Sequence, residues 1–131
     1  VLERDLLKVI EVDPDNADAM NALGYTLTDQ TDRHAEALAL IEQALEIKPN
    51  EAAFIDSLGW AQYRLQNFKD AIVNLRKALS LFDNDEVAAH LGEVLWVSGA
   101  QEEARSVWQK ALDDRPDSEI LKRVMQQFLN P

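Results

Sequence analysis

Asp56, Ser57 and His90 are the residues whose chemistry has to be accounted for first. Asp56 and Ser57 are adjacent, and His90 is one of two histidines. A serine becomes a nucleophile when an imidazole within hydrogen-bond reach takes its proton and donors await the oxyanion. Ile55-Asp56-Ser57-Leu58-Gly59 does not have the strand-turn-helix setting of a nucleophile elbow. A metal centre has little support either, because His34 and His90 are far apart in the chain and there is no cysteine. His34-Ala35-Glu36 is ordinary surface sequence, and no Gly-rich run offers a phosphate loop. The sequence therefore predicts no catalytic residue, no metal and no cofactor. Tyr25, Trp60, Tyr63 and Trp96 remain, four of the five Trp and Tyr side chains. Such rings suit another chemistry, anchoring a partner through large area, few rotamers and one polar atom.

The elements that must position these residues follow from an internal repeat. Gly24, Gly59 and Gly92, each preceded by Leu, are 35 and 33 residues apart. Ala37, Ala71 and Ala104 are spaced by 34 and 33, as are Ala44, Ala78 and Ala111. Pro14 and Pro49 are 35 apart, and Pro116 lies 67 beyond Pro49, so one proline is missing near Asn84. The pattern predicts first helices over about 17–29, 52–65 and 86–98, and second helices over about 34–47, 68–81 and 101–114. Asp13-Pro14-Asp15-Asn16, Lys48-Pro49-Asn50 and Arg115-Pro116-Asp117 each stop one helix and offer a cap to the next. Gly99 supplies a left-handed helix end, and Asp32 or Thr31 is expected to cap the helix beginning near His34. No stretch alternates as a strand does.

The small residues have a packing reason. A glycine inside a helix costs about 1 kcal/mol relative to alanine, and close approach of a neighbouring helix offsets that cost. Gly24, Gly59 and Gly92 face the small Ala37, Ala71 and Ala104, while Ile41, Leu75 and Trp108 fill the space between. Ala44, Ala78 and Ala111 are expected to meet the following hairpin. Ser57 and His90 then share one repeat position in adjacent hairpins. Stacked helices lie roughly 8–10 Å apart, too far for a direct nucleophile–base contact without tilted side chains.

Leu-Gly, then Ala, a large residue four on, Ala three later and Pro five later resembles the tetratricopeptide repeat. The resemblance covers about 17–118 in three full repeats. It implies an all-α, right-handed superhelical stack of antiparallel hairpins. The chain divides as 1–16, the second helix of a truncated repeat; 17–51, 52–84 and 85–118, the three repeats; and 119–131, a capping helix. Leu2, Leu6, Val9 and Pro14 match the last landmarks of a preceding unit. Ile120, Leu121, Val124, Met125 and Phe128 form the stripe of the cap. In this family the first helices line a concave groove, through the second, fifth, ninth, twelfth and thirteenth positions of each repeat. Those positions hold Asp18, Asn21, Tyr25, Thr28 and Asp29; Ala53, Asp56, Trp60, Tyr63 and Arg64; and Glu86, Ala89, Glu93, Trp96 and Val97. The resemblance implies a protein-binding scaffold or adaptor whose groove residues are Asn21, Tyr25, Thr28, Asp56, Trp60, Tyr63, Arg64, Glu93 and Trp96. Repeats that hold acidic chaperone tails carry Lys, Arg and Asn at these positions, whereas this groove is acidic.

Asn21-Ala22-Leu23-Gly24-Tyr25, Asp56-Ser57-Leu58-Gly59-Trp60 and His90-Leu91-Gly92-Glu93 also resemble the C-terminal repeats of certain Gram-negative bacterial tetratricopeptide proteins. Some of those are outer-membrane lipoproteins facing the periplasm, and one is an adaptor for a carboxyl-terminal processing protease. That resemblance implies a periplasmic protease or envelope complex as partner, with an anchoring Cys upstream of Val1; without it, the cytoplasm is expected. Val1 is not a start residue and Leu2-Glu3-Arg4-Asp5 is not a signal sequence, so a piece of a longer protein is expected.

At 131 residues the chain is large enough for one domain with its own core. Its formal net charge of −11 repels phosphate backbones and anionic lipid surfaces, which argues against nucleic-acid binding. No apolar run reaches the roughly 20 residues that a membrane span needs. An alternative role is a structural spacer or self-association segment of a longer solenoid, as a monomer or weak dimer through the half-hairpin at 1–12.

Overall fold

The structure is a computed structural model, and it describes residues 2–130. Eight helices follow one another, with no strand among the described residues: α1 (Leu2–Val12), α2 (Ala17–Gln30), α3 (His34–Ile47), α4 (Ala52–Arg64), α5 (Phe68–Leu81), α6 (Asp85–Val97), α7 (Gln101–Asp114) and α8 (Glu119–Leu129). They pair as the hairpins α2/α3, α4/α5 and α6/α7, and these stack into a right-handed superhelix.

Local chemistry sets the helix ends. Asn16 Oδ1 accepts from the Ala19 amide to cap α2. Asn84 Oδ1 accepts from the Glu86 and Val87 amides to cap α6, where the other turns carry proline. Ser118, not Asp117, caps α8 through the Leu121 amide. The Lys48-Pro49-Asn50 turn supplies no side-chain cap, since Glu51 precedes α4 without one. Neither Asp32 nor Thr31 caps α3. Arg33 holds that position, and Thr31 Oγ1 instead accepts from the Arg33 amide.

Gly99 has φ +106° and closes α6, with its amide donating to Trp96 O and the Ala100 amide to Leu95 O. Gln66 occupies the equivalent place after α4, with φ +66° and the same pair of bonds, to Tyr63 O and Gln62 O. The first hairpin turns differently. Thr31 is extended, which accommodates the extra residue of the 35-residue unit.

Each helix glycine receives the large side chain of its partner helix. A Cβ on Gly92 would stand 2.0 Å from Trp108 Nε1; on Gly24 it would meet Ile41 and on Gly59 Leu75. Trp108 is fully buried, and its indole N–H donates to Ala89 O at 3.2 Å. Ala44 packs with Phe54 and Ala78 with Ile55 and Val87, joining each hairpin to the next. The largest apolar cluster runs from Trp60 through Trp108 to Leu121 and Val124 of α8.

α1 lies on α2 through Leu6 and Ile10. Val9, expected as a packing landmark, is exposed, as is Leu2, because the α2 surface lies along the Leu6–Ile10 side of the helix. Val1 and Pro131 lie outside the described residues.

Candidate functional site

The first helices α2, α4 and α6 touch in that order and carry a line of polar bonds between repeats. Tyr25 OH on α2 donates to Glu86 Oε1 on α6 at 3.3 Å. Tyr63 OH on α4 donates to Glu93 Oε2 on α6 at 2.9 Å. Between them, His90 Nδ1 of α6 lies 2.9 Å from Asp56 Oδ1 of α4, with both side chains buried. Rings frame this pair. Trp60 stacks on His90 at 4.1 Å between centroids, Tyr63 leans on Trp60 at 4.9 Å, and Tyr25 lies 6.2 Å from His90.

Two open hollows of about 320 Å³ each lie along this ridge. Asn21, Tyr25, Ala53, Asp56 and Glu86 line one. Trp60, Tyr63, Arg64, Phe68, Glu93 and Val97 line the other. Most of the proposed groove positions are thus brought to one surface. Three of them serve differently from expectation. Thr28 is fully buried and its hydroxyl donates to Gly24 O at 2.9 Å, so it has nothing to offer a partner. Trp60 is only 7 % exposed; it forms the wall behind His90 rather than a free anchor. Trp96 is drawn towards α8 by Trp108 and by Phe128 of α8, at 6.0 and 6.3 Å, with the Arg105 guanidinium 5.3 Å from its ring.

The possible nucleophile is used locally, since Ser57 Oγ donates to Ala53 O of its own helix at 3.1 Å. His90 meets Asp56 instead. Sequence reasoning missed that pair, though a signal was present. Asp56 is a groove position and His90 directly follows the equivalent Ala89 one repeat later, so the two fall within one residue of the same repeat position on adjacent first helices.

Burial and charge set the protonation of this ridge. Burial disfavours a charged His90, but the hydrogen bond and charge of Asp56, with Glu86 and Glu93 nearby, outweigh it and raise the imidazole pKa. Burial, then the Glu86 charge, pushes the Tyr25 phenol well above its ordinary range. Burial and Glu93 do the same to Tyr63. Burial also raises the Glu93 carboxyl, against the lowering effect of the Tyr63 hydrogen bond.

Comparison with known proteins agrees with the helical repeat and the hairpin stack. The tetratricopeptide repeat family matches residues 6–39 and 57–119. The TPR repeat-containing protein PA4667 of Pseudomonas aeruginosa is 51 % identical over 92 residues, which cover 70 % of this chain and 16 % of that protein. The chain thus spans a small part of this relative's length. TTC0263, a thermophilic TPR protein of Thermus thermophilus, superposes with a TM-score of 0.85 at 23 % identity, over 97 % of this chain and 71 % of the other. The first TPR of Spaghetti (RPAP3), solved with the HSP90 peptide SRMEEVD, superposes with a TM-score of 0.73 at 17 % identity, over 86 % of this chain and 90 % of the other. The repeat spacing, the hairpin stack and these matches agree, and the chain belongs to the tetratricopeptide repeat family.

Proposed function

We propose that residues 1–131 act as one non-catalytic adaptor module that holds an extended segment or helix of a partner protein across α2, α4 and α6. Repeats of this family generally mediate protein–protein interaction. The observation that carries the reading is the pair of hollows on that face, one lined by the Tyr25–Glu86 bond and the other by the Tyr63–Glu93 bond. Asn21, Tyr25, Tyr63, Arg64 and Glu93 are the partner-facing residues in this reading. Asp56 and Trp60 support them from beneath, and Trp96 stays with α8.

The charge of the face argues for a basic ligand. Asp18, Asp29, Glu86 and Glu93 stand against Arg64, so Lys or Arg on the partner gains in on-rate and specificity. An acidic peptide such as that held by the RPAP3 repeat is a poor fit. The resemblance to envelope adaptors makes a periplasmic processing protease the first partner to try.

The test is affinity capture of host envelope proteins with wild type and with Tyr63→Ala/Glu93→Gln, after circular dichroism has shown both to be equally helical. A partner retained by wild type and lost from the variant supports the face. Equal recovery by both overturns it. A second reading, self-association, rests on the exposed Leu2, Leu7, Val9 and Val12 of α1. Sedimentation that stays monomeric into the hundred-micromolar range would remove it.

A further inference from the structure

The centre of the same face holds a donor set that peptide binding does not require. Glu86 and His90 are four residues apart on α6 and so share one side of that helix. Asp56 reaches them from α4. One ligand atom from each of the three lies within 4.8 Å of the other two.

The spacing suits a coordination shell. His90 Nδ1 and Asp56 Oδ1 are 2.9 Å apart. Two cis ligands of an octahedral ion, each about 2.1 Å from the metal, are about 3.0 Å apart, and two ligands of a tetrahedral ion about 3.4 Å. The pair therefore already has the separation of neighbouring ligands, and Glu86, the more exposed of the three, has a carboxylate oxygen within 4.8 Å of both.

The surroundings fit as well. Asn21 Oδ1 is buried without a hydrogen-bond donor, and it lines the hollow shared with Asp56 and Glu86. That orphaned oxygen is explained if it faces a cation or a water bound to one. Trp60 stacked on His90 fixes the plane of the imidazole. The Tyr25 hydroxyl, donating to Glu86 Oε1, orients that carboxylate from outside. One imidazole nitrogen with two carboxylates balances a 2+ charge and suits borderline metals over soft Cu(I).

We propose that Asp56, Glu86 and His90 bind one divalent first-row transition-metal ion, which clamps α4 to α6 across the repeat boundary. The site stands whatever the face binds, because its test needs no partner.

Tag-free protein stripped with EDTA is titrated with ZnCl2 and MnCl2 by calorimetry, and its Tm is followed in parallel. One saturable equivalent and a rise in Tm are expected for at least one of the two ions. Glu86→Gln weakens binding roughly 10- to 100-fold, and His90→Gln by at least as much. Glu86 lies at the edge of the site, so its variant keeps the fold even if His90→Gln unfolds. Glu42→Gln, an exposed acid on α3 outside the cluster, leaves binding unchanged. An equal Tm rise with MgCl2, binding that ignores Glu86→Gln, or no saturable binding would each overturn the proposal and leave His90–Asp56 a hydrogen-bonded pair only.

Discussion

At the scale of single residues, Gln66 and Gly99 do the same work with different means. Both adopt positive φ after a first helix. A side chain there costs roughly 1 kcal/mol that glycine avoids. Gln66→Gly is expected to stabilise the protein by about 0.5–1 kcal/mol, and Gly99→Gln to destabilise it by a similar amount, as read by urea unfolding. Gly92 is the opposite case. Alanine is the better helix former, but its Cβ would enter the Trp108 indole. Gly92→Ala is expected to cost about 1–3 kcal/mol despite its helix propensity. Glu93 gives a pH signature. Burial raises its folded-state pKa, so its contribution to stability is present below the unfolded pKa and is lost as pH rises through the folded value. Glu93→Gln keeps an acceptor for Tyr63 without the buried charge. Its Tm is expected to exceed wild type by about 1–3 °C at about pH 7.5, and the difference to vanish near about pH 4. A difference that persists in acid would assign the effect to something other than that ionisation.

At the scale of elements, the helix starts are not equivalent. α2, α6 and α8 have side-chain caps from Asn16, Asn84 and Ser118, whereas α3, α4, α5 and α7 have none. Asn84→Ala is expected to cost about 1 kcal/mol, while Glu51→Ala ahead of α4 changes stability by less than half of that. α8 carries more of the fold than its length suggests. Leu121 is fully buried, and Phe128 lies against Trp96 and Trp108. Leu121→Ala is expected to cost about 2–4 kcal/mol and to expose the Trp108 side of the stack, measurable as a red shift in tryptophan emission.

At the scale of the molecule, stability is shared between neighbouring hairpins and is uneven along the stack. α1 has no buried residue, while the cluster from Trp60 to Val124 is continuous. Hydrogen exchange is expected to be fastest in α1 and slowest in α5–α7. Uniform protection along the chain would contradict that gradient. For the basic partner proposed above, the acidic residues of the α2–α4–α6 face and the net charge of −11 predict an on-rate that falls steeply with added salt.

The repeat spacing alone determined the helices, their pairing and the packing role of Trp108, because Gly, Ala and Pro at fixed intervals leave few other ways to bury the apolar stripes. The second helices begin and end where the spacing places them, at His34–Ile47, Phe68–Leu81 and Gln101–Asp114. Position within a repeat also picked out Asn21, Tyr25, Asp56, Trp60, Tyr63, Arg64 and Glu93, which line the two hollows. It did not say how deep each one lies. Thr28 and Trp60 sit at groove positions yet are buried, since depth depends on how closely the next hairpin rotates over the first helix. The meeting of Asp56, His90 and Glu86 was decided by tertiary structure for the same reason. Residues roughly one repeat apart come within bonding distance only when the tilt between hairpins turns their side chains towards each other, and a one-dimensional period carries no information about tilt.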